Sequence, residues 1–198
     1  GGRSGTDKTS VAAVVAPRVG AMPGAMVLRS DVVRKQLLGR EPTERLPHET
    51  YRREMAERVY GCMRTRAYVL LRAGRTVVCD AVYGLGRDRQ AIERVATDLG
   101  ISFRGFWLEA PEPVLEARVA ARTGDASDAD VAVVRRQREL VDATAATWRR
   151  VRADRELGEM ANEVTEALGA EPHPAARPAP CAEPPSPWIN AEDGDILA

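Results

Sequence analysis

The chain has 198 residues, 29 basic and 29 acidic side chains and a formal net charge of zero. That is length enough for one domain with a real core plus a tail, and the charge balance argues against a global positive field for bulk nucleic-acid binding. Three cysteines (Cys62, Cys79, Cys181) lack metal-ligand spacing and read as reduced thiols, and no apolar run approaches membrane-spanning length. With no leader pattern visible either, a cytoplasmic protein without membrane partners is expected.

In chain order, the opening Gly-Gly-Arg-Ser-Gly-Thr-Asp-Lys-Thr-Ser is one residue from the phosphate-binding pattern G-x-x-x-x-G-K-[ST]. Such a turn curls consecutive backbone N–H groups around phosphate oxygens at a helix N-terminus. Gly2, Ser4, Gly5, Thr6, Asp7, Lys8, Thr9 and Ser10 are therefore assigned to the cradle. Lys8 reaches the outer phosphates and Thr9 offers a hydroxyl to Mg²⁺. Of the 29 basic residues only Lys8 and Lys35 are lysine, so a lysine here stands out from an arginine-biased background.

Asp7 replaces a glycine. A carboxylate at ~4 Å from a phosphate charge costs about 1 kcal/mol in water and about 4 at an effective dielectric of ~20. Nucleotide binding is expected to weaken roughly tenfold to a thousandfold, at ~1.4 kcal/mol per decade. A buried strand normally precedes such a turn, and here the chain opens on Gly1: either the sequence is a fragment of a longer protein or the sheet lacks a central strand, which would leave it with a gap.

Helix is expected over 8–16, a strand over 25–29, a helix capped by Ser30 and Asp31 and stopped by Gly39, then a polar loop over 40–47. Residues 48–73 carry Met55, Val59, Met63, Ala67, Leu70 and Leu71 at helical spacing. Thr76–Ala81 reads as the clearest strand, followed by helix 87–99, strand 103–108, helix 112–122, a polar loop, helix 129–146, a weak strand 148–152 and helix 156–168. From Gly169, seven prolines between Pro172 and Pro187 mark a disordered tail, so the domain is placed at 1–168 and the tail at 169–198. Strands alternating with helices imply an α/β layer fold with a mostly parallel sheet, whose ligands sit at the carboxyl ends of the strands.

Asp31 and Asp80 fall at those ends. Asp31 suits the base that accepts a proton from an attacking hydroxyl; Asp80 suits a Mg²⁺ holder. Arg34, one helical turn beyond Asp31, suits an anionic group on the acceptor. Arg118 and Arg122, four apart, offer guanidinium forks to phosphates. Arg135 and Gln137, one helix on, are weaker candidates. Each has a plainer reading as a cap, a loop carboxylate or a solvated arginine.

This ordered set resembles the small P-loop kinases, in the AAA-type, zeta-toxin-like and polynucleotide-kinase-like group. The pieces Leu28–Lys35 and Trp107–Pro111 resemble the ATP-binding half of proteins that also carry an aminoglycoside-phosphotransferase-like domain. The resemblance implies a three-layer P-loop NTPase fold with a mostly parallel, doubly wound sheet; Asp7 in place of glycine and the apparently missing first strand depart from the family's pattern. It also implies ATP and Mg²⁺ as cofactors, transfer of the γ-phosphoryl group to a small-molecule hydroxyl, and a fused domain upstream. It places the base at Asp31, the acceptor-gripping arginine at Arg34 and the lid arginine at Arg122, with Lys8 completing the catalytic set. Two alternatives stay open: a nucleotide-sensing module impaired by Asp7, and a polynucleotide 5′-hydroxyl kinase. The neutral charge and the lack of an aromatic-interleaved basic stripe count against the latter, and nucleic acid is not an expected partner.

Overall fold

The computed structural model describes residues 1–121, 127–141 and 147–169. Strands β1 (Met26–Arg29) and β2 (Val77–Asp80) pair in parallel, with Met26 opposite Val77 and Arg29 opposite Asp80. Strands β3 (Phe106–Glu109) and β4 (Arg149–Arg152) form a second parallel pair. Gly1 and Gly2 bridge the two pairs. The Gly2 N–H donates to the Val82 carbonyl (3.0 Å), while the Gly1 carbonyl accepts from the Leu108 N–H (2.9 Å). Among the described residues the strands thus form two parallel pairs, bridged at their carboxyl ends by Gly1 and Gly2.

Helices cover both faces. On one, Val11 and Val15 of α1 (Lys8–Val15) and Met160, Ala161 and Val164 of α7 (Leu157–Gly169) close on Leu108 and Val151. On the other lie α2 (Ser30–Leu37), α3 (Arg53–Arg72) and α4 (Gly86–Asp98), packed around Tyr83, Trp107 and Trp148. Trp107 and Leu108 are neighbours in β3 yet enter different cores, because successive strand side chains point to opposite faces. In α3, Val59, Met63 and Ala67 recur every four residues and are all buried, as the apolar spacing predicts. Helices α5 (Glu112–Ala121) and α6 (Val131–Leu140) stand apart on a small cluster of their own, Leu115, Val119 and Val134.

Several expectations change. The 48–73 segment divides into a 3₁₀ turn, His48–Tyr51, and α3, because Arg52 is extended (φ −65°, ψ 162°). The expected cap at Ser30 and Asp31 does not form: Arg29 holds the N-cap position and both residues are already helical. The Asp31 carboxylate thus sits in the first turn, where the helix dipole favours negative charge. Helix α6 ends at Leu140, followed by an extended Val141; residues 142–146 of the expected longer helix and residues 170–198 of the proline-rich tail lie outside the described residues.

Candidate active site

The opening turn closes on a single carbonyl. Arg3 O accepts from the Thr6 N–H (3.4 Å), Thr6 Oγ1 (2.8 Å) and Lys8 Nζ (2.9 Å). Two glycines are obligatory for this path. At Gly2 (φ 139°) a Cβ would lie 2.4 Å from the Leu108 carbonyl, and at Gly5 (φ 85°) 2.6 Å from the Leu115 carbonyl. Asp7 takes the left-handed conformation (φ 56°, ψ 28°) that the pattern's glycine would take, which Asp tolerates better than most residues. Ser4 and Thr6 are buried, whereas Ser10 is exposed on the first turn of α1.

The two residues expected to serve Mg²⁺ meet. Thr9 Oγ1 donates to Asp80 Oδ2 at 2.6 Å, and Arg29 Nε lies 3.8 Å from the same oxygen. Asp80 Oδ1 is buried without a hydrogen-bond partner. A hydroxyl beside an orphaned carboxylate oxygen fits a hard cation that completes its shell with water and phosphate oxygens.

Asp31, Arg34, Lys8 and Asp80 line one cavity of about 360 Å³, together with Ser127 and Gln137. Burial raises the Asp31 carboxyl above the ordinary range, and the negative Asp80 adds to this; Lys8, Arg34 and a hydrogen bond from Ser127 pull it back. Arg34 is 7% exposed, donates through Nη1 to Thr50 O (2.9 Å) and lies 4.6 Å over the Tyr51 ring. Its Nε is buried and unpartnered. A larger cavity of about 550 Å³, on the β3–β4 side of the turn, includes Arg3 and Asp154 but neither Lys8 nor either candidate carboxylate.

Arg118 corrects the argument about Asp7. Its Nη1 lies 3.1 Å from Asp7 Oδ2 and donates to Ala153 O (2.6 Å) and, at the limit of contact, to Gly5 O (3.5 Å). The carboxylate is therefore paired, and a repulsion calculated for an isolated charge overstates its effect on phosphate. Gln137, ranked low on sequence, reaches the turn: its Oε1 accepts from the Ser4 N–H (2.8 Å) and its Nε2 donates to Ser4 Oγ (3.1 Å). Arg135 points away, paired with Glu116 at 2.7 Å. Arg122 lies outside the described residues. Sequence reasoning gave no site role to Asp128, Tyr51 or Lys35 and met Ser127 only within the polar loop before helix 129–146; the available signals were the Asp-Ala-Ser-Asp run ending at Asp128, which belongs to the family resemblance, and Lys35, the second lysine in an arginine-dominated chain.

The turn, the acids at the strand ends and the two helical layers define a P-loop kinase-like domain. Residues 1–144 match the AAA domain family, and the chain belongs to it. Uncharacterized proteins of Mycobacterium bovis and Mycobacterium tuberculosis are 33% identical over 134 residues, 65% of this chain and 26% of theirs. The chain thus spans about a quarter of the length of the curated relatives it matches. A gluconokinase from Sinorhizobium meliloti superposes with TM-score 0.58 at 19% identity, covering 85% of this chain and 89% of that one. A Janibacter sugar kinase gives 0.61 at 15% identity, covering 89% and 92%. The Mycobacterium tuberculosis APS kinase in complex with AMPPNP and APS gives 0.56 at 21%, covering 85% and 94%. At these identities the likeness is one of fold. Among the described residues no helix is long and apolar enough to cross a membrane.

Proposed function

We propose that this domain transfers the γ-phosphoryl group of ATP to a hydroxyl of a small-molecule acceptor. The observation that carries the reading is the convergence of Lys8, Asp31 and Asp80, the last held by the Thr9 hydroxyl, on one cavity at the carboxyl ends of the strands. Thr9 and Asp80 would hold Mg²⁺, which when bound supplies positive charge to the phosphates. Lys8 exchanges the Arg3 carbonyl for phosphate oxygen, a substitution that costs it one neutral acceptor and gains a charged one. Asp31, at the acceptor side, would accept a hydrogen bond from the attacking hydroxyl, orient it and take its proton as the new P–O bond forms and the bond from the γ-phosphorus to the β–γ bridging oxygen breaks, with ADP as the leaving group. The unpartnered Nε of Arg34 is available to an anionic acceptor group.

The neighbours' names suggest D-gluconate as the first acceptor to try, followed by other sugars and by APS. ATP consumption is compared in wild type, Lys8→Ala and Asp31→Asn. Losses of about 10²–10⁴-fold are expected for Asp31→Asn and at least as large for Lys8→Ala; equal rates in all three remove the reading. Nucleotide binding without turnover of any acceptor would instead assign a sensing module. Steeply salt-dependent binding of oligonucleotides would favour a polynucleotide acceptor.

The match covers about a quarter of the mycobacterial relatives' length, which supports a reading in which a domain of this kind is joined to a second one. We propose the aminoglycoside-phosphotransferase-like partner implied by the sequence resemblance, and cytoplasmic residence; sequencing upstream of Gly1 tests the former.

A further inference from the structure

One carboxylate outside the phosphate turn gathers three donors from distant parts of the chain: one from α2, one from the loop after it and one from the 3₁₀ turn. Asp128 Oδ2 accepts from Tyr51 OH (2.7 Å) and from the Leu46 N–H (3.1 Å), and its Oδ1 lies 3.4 Å from Lys35 Nζ. Lys35 is fully buried, and its Nζ also donates to Pro42 O at 2.9 Å; the Asp128 side chain is 7% exposed. A buried ammonium needs a counter-charge, so the pair is built into the fold. The Tyr51 phenol is pushed well above its ordinary range by burial and by this hydrogen bond, so it stays a donor.

The neighbours of this contact face the acceptor cavity. Ser127, next to Asp128, donates to Asp31. Tyr51 carries Arg34 over its ring, and Thr50 takes the Arg34 Nη1. We propose that Asp128 is a positioning residue: by fastening residues 127–130 to the 42–51 loop it holds Ser127 against Asp31 and Tyr51 under Arg34. The acid and the arginine that meet the acceptor are thus set by one contact that touches neither. The assignment rests on the reading of Asp31 as the base, but its geometry can be tested without turnover.

The test uses the full chain in two measurements. Amide exchange at Leu46 is compared in wild type, Tyr51→Phe and Asp128→Asn. Exchange at least tenfold faster in both variants is expected, and unchanged exchange overturns the contact. The second measurement is a carbon-13 carboxyl NMR titration of Asp31 in wild type, Ser127→Ala and Tyr51→Phe. The charged groups that act most strongly on Asp31 are Lys8, Asp80 and Arg34; Arg29, Arg45, Arg136, Asp128 and Asp130 also line its cavity, and these two substitutions alter none of them. Losing the Ser127 hydrogen bond raises the Asp31 midpoint, and Tyr51→Phe is expected to move it in the same direction. Movement in Ser127→Ala with none in Tyr51→Phe reduces Asp128 to a partner for Lys35 and overturns the positioning role. Tyr51→Phe removes only a hydroxyl from a partly exposed ring, so folding is preserved. If no acceptor supports turnover in wild type, the kinase reading falls while both measurements still decide this one.

Discussion

Asp31 holds its proton more tightly than a solvated carboxylate because burial and Asp80 both disfavour its charge. The sign follows. The folded state binds more protons than the unfolded state between the ordinary and the raised value, so this group's contribution to stability falls as pH rises through that window. Base activity runs the other way and develops only as the acid deprotonates. The acid limb of kcat/KM for the acceptor is expected above the usual carboxylate range; a limb near pH 4 would show that another group sets it. Asp7 makes a second residue-scale case. Asp7→Gly and Asp7→Ala both delete the Arg118 pair, but only alanine resists the left-handed backbone. In urea melts the alanine variant is expected to be less stable than the glycine variant by about 1–2 kcal/mol. A partly exposed ion pair is worth about 0–1 kcal/mol, so equal losses would place the energy in the ion pair instead. That Lys8, Thr9, Asp31 and Asp80 come together was legible, because motif spacing and strand ends fix their positions locally. Asp128 was not: its donors Lys35, Leu46 and Tyr51 lie 77 to 93 residues away, and no local pattern encodes such a meeting.

Among elements, the helices were read closely because glycines and apolar spacing mark them. Strand β3 was expected from 103 but begins at Phe106, where Gly105 lies flat against the Trp148 indole; a Cβ there would sit 2.3 Å from the ring. That constraint comes from a residue 43 positions on, and propensity cannot see it. At the junction between the turn and α5 the two backbones approach closely. Gly5→Ala drives a methyl into the Leu115 backbone and holds a left-handed φ. A loss of about 2–3 kcal/mol or more is expected, measured by chemical denaturation, together with weakened ATP binding. A variant as stable as wild type would mean that α5 yields freely.

For the molecule as a whole, the three-layer arrangement was legible because helices and strands alternate along the chain. The charge balance, by contrast, said nothing about where cations gather. Arg29, Arg34, Arg45 and Arg136 all reach the Asp31 cavity, a local concentration hidden within a net charge of zero. The division of the interior has a further consequence. The cores on the two sheet faces are broad, whereas α5 and α6 share only Leu115, Val119 and Val134 as buried apolar residues among those described. So little interior gives this pair a low free energy of sub-global opening, well under that of global unfolding. Its amides should exchange with solvent as a separate, earlier cooperative unit than those of α3 and α7, in native-state exchange at low denaturant. A single exchange isotherm for all helices would mean instead that the pair melts only with the rest. If the two tiers are seen, Arg118 and Gln137 travel with the looser one, and a nucleotide that bridges both tiers would couple its own arrival to local order.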